Sequence, residues 1–214
     1  MRVEDMGNYY NEENLYYRGA KVICYLIRHG KDDDTVRGGW SSSGLTNEGI
    51  LQVKKLTDYL SENKDVLKID RVFSSDLPRA TQTAIPISTT LDIEIEFMPE
   101  FRETNNGIFA GMPNDIANEK YPGLYWSTLE WDEPYPQGES PHIFYERIKT
   151  AWEQFSEMIS KDDKNIVLVT HGGVINVIYT LIDSISFSNK EKAERVPHAT
   201  MIPVNYINGI WNRK

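Results

Sequence analysis

The chain has few of the features that mark secreted or membrane proteins. Its 214 residues contain one cysteine, Cys24, so a disulfide framework within a monomer is excluded. No apolar run approaches the roughly 18 residues that a transmembrane helix needs. We therefore expect a cytoplasmic protein that does not insert into membranes. The formal net charge of −9 also argues against general binding to nucleic acid or to anionic lipid surfaces.

The length and composition suit one ordinary globular domain. Apolar residues make up 40% of the chain and charged residues 26%, enough to bury a hydrophobic core without metal or disulfide staples. Residues 1–20 are polar and rich in tyrosine, and we predict a loosely ordered N-terminal arm there. Residues 21–214 are predicted to form a single domain. Residues 98–139 lack a sustained hydrophobic period, which indicates an inserted region that covers the functional site.

Strand and helix signals alternate along the chain. The apolar stretch 22–27 predicts a buried strand, and Thr46 is the expected N-cap of the helix that follows the first loop. Pro78 and Pro141 fit the first turns of two further helices, and Ser140 is the expected N-cap before Pro141. Further strands are predicted at 70–73, 93–97, 166–170 and 201–206, and Asn208-Gly209 is typical of a hairpin turn. This alternation predicts an α/β fold, a three-layer α/β/α sandwich with a mostly parallel mixed sheet.

Two of the predicted strands end on histidines. Arg28, His29 and Gly30 follow the first strand, and His171, Gly172 and Gly173 follow the strand at 166–170. In a parallel α/β sheet, the loops after the carboxyl ends of the strands line the ligand crevice. The sequence therefore places both histidines in one candidate site.

Arginine next to histidine suggests a phosphoryl pocket. A guanidinium presents a planar fork of donors that matches phosphate oxygens, and Arg28 and Arg79 would supply two of them. Each signal is weak alone, because a histidine at a strand end is commonly structural. Arg79 at a helix start is commonly a solvated charge, and Glu103 in a loop is commonly surface.

A zinc site is the main chemical alternative for the histidines. His29, His142, His171 and His198 are far apart in the sequence, contain no i,i+4 pair and have no second cysteine beside them. We therefore expect no metal and no cofactor. His142 is predicted to lie on the surface. His198 is predicted to be a loop residue near the final strand, with an approach to the pocket as the alternative.

Several motifs in one order resemble the histidine phosphatase superfamily, whose members are similar in fold to cofactor-dependent phosphoglycerate mutase. The resemblance covers about residues 21–211. It is carried by Leu-Ile-Arg-His-Gly at 26–30, Gly-Leu-Thr-Asn-Glu-Gly at 44–49 and Ser-Ser-Asp-Leu-Pro-Arg at 74–79. It continues with Phe-Arg-Glu-Thr-Asn-Asn-Gly at 101–107, Gly-Glu-Ser at 138–140 and Val-Thr-His-Gly-Gly at 169–173.

The resemblance implies a role for each matching residue. His29 occupies the nucleophile position and would form a phosphohistidine. Glu103 occupies the acid position and would protonate the leaving oxygen, then accept a proton from water. The non-bridging oxygens of the phosphoryl group would be held by Arg28, Arg79 and His171. Fixed cationic groups of this kind replace the metal ions of other phosphoryl-transfer enzymes.

The signature departs from many relatives after the first histidine. Lys31, Asp32 and Thr35 stand where Glu or Gln, Thr or Ser, and Asn are common. We expect Thr35, Arg37 and the backbone N–H of Gly172 to bind substrate. The acidic run at 32–34 is either a solvated loop or a rim that favours a monophosphate, including one that carries a cationic group.

The short cover favours hydrolysis over transfer. Only 67 residues separate Glu103 from His171. The mutases of the family that this chain resembles have a longer insertion, which closes over the site. A short cover admits water, which resolves a phosphoenzyme to free phosphate. We therefore expect a phosphatase acting on a small phosphomonoester. The alternatives are a mutase-type phosphotransferase and a phosphate-binding regulatory module without turnover, and the apolar C-terminal hairpin is compatible with a homodimer.

Overall fold

The structure is a computed structural model that describes residues 21–161, 163–191 and 194–213. The arm predicted at 1–20 lies outside the described residues. A six-stranded sheet has the strand order β3-β2-β4-β1-β5-β6. Its strands are β1 Val22–Arg28, β2 Ile69–Ser74, β3 Ile95–Phe97, β4 Asn165–Thr170, β5 Met201–Ile207 and β6 Ile210–Asn212.

The sheet is mixed, with its parallel part at the centre. Strand β4 pairs in parallel with both β1 and β2, and β2 pairs in parallel with β3. Strand β5 runs antiparallel to β1, and β6 runs antiparallel to β5. The predicted mostly parallel mixed sheet is therefore confirmed, and the carboxyl ends of β1, β2 and β4 lie at one edge.

Helices cover both faces of the sheet. They are α1 Asn47–Glu62, α2 Lys64–Leu67, α3 Pro78–Leu91, α4 Asn114–Lys120, α5 Pro141–Ile159 and α6 Gly172–Ile182. Alternate side chains of β1 point to opposite faces. Leu26 packs in one buried cluster with residues of α5 and α6, and Ile27 packs in a second cluster with residues of α1 and α3. These two cores give the predicted three layers.

The helix starts follow the capping signals in the sequence. The hydroxyl of Thr46 accepts a hydrogen bond from Gly49 N at 3.1 Å, and the hydroxyl of Ser140 accepts one from Ile143 N at 3.2 Å. Each bond satisfies an N–H group that the helix itself cannot pair. The predicted N-caps are therefore confirmed, and Pro78 and Pro141 occupy first turns as expected.

The hairpin and the third strand show where sequence patterns succeed and fail. Asn208 and Gly209 both adopt positive φ, 52° and 86°, which suits a two-residue hairpin turn. The strand predicted at 93–97 begins only at Ile95. Ile93 N instead donates to Ser88 O, within the turn that ends α3, so the first two residues belong to that turn.

The segment 98–139 contains α4 and three short 3-10 turns, Pro99–Phe101, Gly107–Phe109 and Trp126–Thr128. Its two ends are joined by backbone bonds, from Glu139 N to Asn105 O at 2.7 Å and from Ile108 N to Pro136 O at 3.1 Å. The described residues include no helix with the length and apolarity that crossing a bilayer requires.

Candidate active site

The site forms where β1 and β4 end side by side. Arg28 is opposite Thr170 in the parallel register, and His29 N donates to Thr170 O at 3.0 Å. The residues that follow each strand are therefore neighbours. The ring centroids of His29 and His171 are 5.1 Å apart.

The imidazole of His29 is held in one tautomer. Its Nδ1 lies 2.8 Å from Gly30 O, and because a carbonyl oxygen can only accept, Nδ1 carries the proton. Nε2 keeps its lone pair and accepts from Arg79 Nε at 3.2 Å. Burial, and secondly the charge of Arg79, hold the His29 pKa well below its usual value. The ring is therefore neutral, and its free lone pair faces a guanidinium.

Gly30 fixes this strand end against helix α1. A Cβ at position 30 would lie 2.8 Å from Gly49 O, too close for any other residue. The Gly30 N–H donates to Thr83 Oγ1 at 3.0 Å, which ties the same turn to α3. The glycine of the motif is therefore required by close packing.

Arg79 projects from the first turn of α3 into the site and is 2% exposed. Its Nη2 donates to Gly39 O at 2.7 Å, and its Nη1 lies 3.5 Å from Ser41 Oγ. The guanidinium is thus aimed at His29 by the loop between β1 and α1. The alternative of a solvated charge is wrong for Arg79.

Arg28 supplies a second guanidinium. Its Nη1 donates to Val196 O at 2.8 Å, whereas its buried Nε has no hydrogen-bond partner among the described residues. Burial lowers its pKa, and the nearby carboxylates of Glu103 and Asp32 oppose that effect. An unpaired buried donor is costly, so Nε is suited to an anion that enters the site.

His171 is fully buried and also keeps a free nitrogen. Its Nε2 lies 2.9 Å from Ser75 Oγ, while Nδ1 has no partner in the described part of the chain. Burial and the charge of Arg79 hold the His171 pKa well below its usual value. Ser75 was not predicted as a site residue, although it follows β2 and so lies at the same sheet edge.

Glu103 faces the start of α6. Its Oε2 accepts from Gly173 N and its Oε1 accepts from Thr104 N, both at 3.0 Å. A Cβ on Gly173 would lie 2.4 Å from Oε1, so a side chain at this position would displace the Glu103 carboxylate. Arg147 of α5 holds the Glu103 loop by donating to Glu103 O at 3.1 Å, and it is paired with Glu139 at 2.7 Å. Sequence reasoning missed Arg147 because it lies in the middle of a helix, outside the Gly-Glu-Ser motif whose Glu139 it pairs with.

Asp32 and His198 also lie in the site, so for Asp32 the rim alternative fits and the solvated loop does not. Asp32 Oδ2 lies 3.4 Å from Arg79 Nε, and its side chain is 18% exposed. His198 Nδ1 donates to His29 O at 3.0 Å, and the two rings are 5.5 Å apart. Ligand-type atoms of His29, Asp32 and His198 lie within 4.8 Å of one another, but the adjacent guanidiniums of Arg28 and Arg79 oppose a divalent cation.

A cavity of about 320 Å³ opens beside Glu103 and Gly173. Aromatic rings of Trp126, Tyr135 and Phe187 form part of its wall. The amide side chains at the wall belong to Asn106, Asn176 and Asn189. The cavity therefore adjoins the carboxyl group of Glu103 and combines apolar surface with amide groups and the charged side chains of Arg37 and Glu191.

The three residues predicted to bind substrate lie in different settings. Thr35 Oγ1 donates to Asp33 Oδ1 at 2.6 Å in an exposed turn, and Thr35 is not among the residues that line the cavity. Arg37 does line the cavity, and its guanidinium stacks on Tyr125 at 4.7 Å. Gly172 is the first residue of α6 and lies beside Arg28, because a Cβ on Gly172 would be 3.5 Å from Arg28 Nε. Substrate binding by these residues stays a prediction. His142 is half-buried at the surface, as predicted outside the site, and contacts Asp132 at 2.7 Å.

Comparisons with known proteins agree with this geometry. Residues 24–212 match the family described as "Histidine phosphatase superfamily (branch 1)". The "Metal-independent phosphoserine phosphatase" of Arabidopsis thaliana is 30% identical over 185 residues, 83% of this chain and 76% of that protein. The "Adenosylcobalamin/alpha-ribazole phosphatase" of Salmonella typhimurium is 28% identical over 159 residues, 72% of this chain and 76% of that protein. The crystal structure of the alpha-ribazole phosphatase from Shigella flexneri superimposes with a TM-score of 0.76 at 23% identity, over 90% of this chain and 94% of that one.

Proposed function

The chain belongs to the histidine phosphatase superfamily, and from this premise we propose that it hydrolyses a small phosphomonoester without a metal, through a phosphohistidine at His29. It is a phosphatase of this superfamily, like the relatives that it matches. The observation that carries the proposal is the tautomer of His29. Nδ1 is committed to Gly30 O, so the nucleophilic lone pair of Nε2 is available beside Arg79.

In the first step, His29 Nε2 attacks phosphorus and the bond from phosphorus to the leaving oxygen breaks. Glu103 gives a proton to that oxygen, which leaves as an alcohol. Charge on the three non-bridging oxygens is balanced by Arg28 and Arg79, which already lie beside His29, and Arg79 Nε exchanges its bond to His29 Nε2 for one to the phosphoryl group. The Nδ1–H bond to Gly30 O supports the positive charge that the ring acquires as Nε2 becomes bonded to phosphorus.

In the second step, water attacks the phosphohistidine. Glu103 accepts a proton from the water, the bond from Nε2 to phosphorus breaks, and inorganic phosphate leaves. His29 returns to its neutral form. The two backbone N–H groups that hold the Glu103 oxygens keep the carboxyl group in one place for both proton transfers.

The cavity beside Glu103 supports a substrate of limited size. The departing alcohol must lie next to the carboxyl group that protonates it, and that group borders the 320 Å³ cavity. Aromatic and amide side chains there suit an alcohol that combines an apolar face with hydroxyl or amide groups. Phosphoserine and alpha-ribazole phosphate, named for two relatives, are therefore the first esters to test.

Release of phosphate from p-nitrophenyl phosphate tests the proposed function directly. We expect turnover of the purified protein in mildly acidic buffer, unchanged by EDTA, because the phosphoryl charge is balanced by arginines. A screen of phosphorylated metabolites would then identify the preferred ester. If the protein binds phosphate esters but releases no phosphate from any of them, the regulatory-module alternative is correct.

Glu103→Gln should separate substrates by leaving group. For an alkyl phosphate, which needs a proton on the departing oxygen, we expect kcat/KM to fall by about 10²- to 10⁴-fold. For p-nitrophenyl phosphate, whose leaving group departs without a proton, kcat/KM should change by less than about tenfold. The matched control is Glu153→Gln, an exposed position on α5, which should leave both substrates unaffected. Equal losses of kcat/KM for the two substrates would contradict the acid role of Glu103.

A further inference from the structure

A carboxylate lies inside the phosphoryl pocket. Asp32 Oδ2 is 3.4 Å from Arg79 Nε, and Asp32 Oδ1 is 4.0 Å from His29 Nδ1. The same Arg79 Nε contacts His29 Nε2 at 3.2 Å. A phosphoryl group within reach of Nε2 must therefore approach the guanidinium that Asp32 already contacts, and it meets a negative charge there.

The groups that face Asp32 are cationic or neutral. They come from the end of β1, from α3 and from the loop before β5, and they are Arg28, His29, Arg79 and His198. The chain neighbours Lys31 and Asp33 bind Glu48 and Thr35 instead. Burial lowers the pKa of both His29 and His198, so these rings are neutral in the free site. In the empty pocket, the Asp32 carboxylate is therefore paired with the guanidinium of Arg79.

Binding of a phosphate dianion changes this balance. Two anionic groups in direct contact repel each other strongly in a partly buried site, and such pairs commonly share one proton. The proton comes from solvent or arrives on the phosphate monoanion, and it lies between a carboxylate oxygen and a phosphoryl oxygen. We propose that Asp32 makes phosphoryl binding proton-coupled: the occupied pocket holds one proton more than the empty enzyme and the free dianion together.

This inference rests on the proposed function and adds a specificity-determining residue to it. Phosphoryl binding requires either a protonated Asp32 carboxyl group or an ester that is a monoanion. The affinity is therefore higher at acidic pH and for weakly charged esters. An ester with a second anionic group near the phosphate would add to the repulsion. Asp32 does not take part in bond making, so its effect appears in KM and in phosphate affinity rather than in the formation of the phosphohistidine.

The test is the binding of inorganic phosphate, measured by isothermal titration calorimetry in buffers of different ionisation enthalpy. Above about pH 8 the free ligand is the dianion, and the wild-type protein should take up about one proton more per phosphate than Asp32→Asn. One coupled proton weakens the affinity of the wild-type protein by about tenfold per pH unit. The affinity of Asp32→Asn should change by less than about twofold per pH unit, and it should exceed that of the wild type at about pH 9.

The matched control is Asp34→Asn, which removes an exposed carboxylate from the same acidic run. It should behave as the wild type does. Asp32→Ser serves as a second variant, and a thermal unfolding curve establishes that each variant is folded before phosphate is added. Equal proton uptake and equal pH slopes in the wild type and Asp32→Asn would overturn the proposal, because the carboxylate would then leave the pocket when phosphate enters.

The two proposals can fail separately. Phosphate binding needs no turnover, so proton uptake is measured independently of the catalytic step. If Asp32→Asn and the wild type take up the same number of protons while both release phosphate from p-nitrophenyl phosphate, only the role of Asp32 is wrong. If neither protein shows turnover, the proposed function is wrong whatever the proton count.

Discussion

Replacement of His29 by alanine is expected to lower kcat/KM for p-nitrophenyl phosphate by at least about 10⁴-fold, because the nucleophile disappears and water has no comparable position from which to attack. His29 lies at the end of β1 with Nε2 unprotonated beside Arg79. No other described side chain presents an unprotonated nitrogen in the same position. Steady-state kinetics on the variant, with its fold checked by circular dichroism, measure the effect.

The matched control for this experiment is His142→Ala. His142 is a half-buried histidine on α5, outside the site, that contacts Asp132 and stacks on Trp131. Its loss should change kcat/KM by less than about twofold, as is usual for surface substitutions. A His29→Ala protein that keeps more than a tenth of the wild-type kcat/KM would rule out covalent catalysis by this imidazole.

Arg79→Lys is expected to lower kcat/KM by about 10²- to 10³-fold while the protein stays folded. Lysine keeps the charge but lacks the planar fork through which Arg79 reaches Gly39 O, Ser41 Oγ and His29 Nε2. The negative charge of the transition state then loses one preorganised hydrogen-bond donor. In other enzymes, removal of one such donor lowers kcat by about 10²- to 10³-fold. Inorganic phosphate should also bind more weakly, and this provides a second readout that is independent of turnover.

Arg213→Lys is the control for Arg79→Lys. Arg213 follows β6 and pairs with Asp183 and Glu194, near the end of α6 opposite Glu103. The Arg213→Lys substitution should leave kcat/KM within about twofold of the wild-type value. If Arg79→Lys were as active as Arg213→Lys, the guanidinium would not be part of the phosphoryl pocket.

Local signals in the sequence were sufficient for most of the fold. Capping hydroxyls at Thr46 and Ser140 mark helix starts because each satisfies a backbone N–H that no helical carbonyl can reach. The hairpin at Asn208-Gly209 was predictable because both residues tolerate positive φ. The strand predicted at 93–97 was too long, because backbone pairing with Ser88 competes for its first residues.

The groups that surround the site were less predictable. The approach of His29 and His171 follows from two strand ends at one edge of a parallel sheet, which a sequence pattern can indicate. Asp32, Ser75 and His198 reach the site through loop conformations, and Arg147 reaches it from the middle of a helix. Such contacts depend on tertiary packing, so the spacing of residues along the sequence does not predict them. For Asp32 the sequence left a solvated loop and a rim of the site as alternatives, and its contact with Arg79 changes the charge of the pocket.

In the proposed mechanism, His29 carries the phosphoryl group during turnover. The most direct measurement uses Glu103→Gln and p-nitrophenyl phosphate, a pairing in which the first step needs no acid and the second step lacks its base. Rapid quenching in alkali, followed by peptide mass spectrometry, should find an acid-labile phosphoryl group on the peptide that contains His29. Phosphoryl label on another side chain, or continued phosphate release by a Glu103→Gln, His29→Ala double variant, would contradict the account.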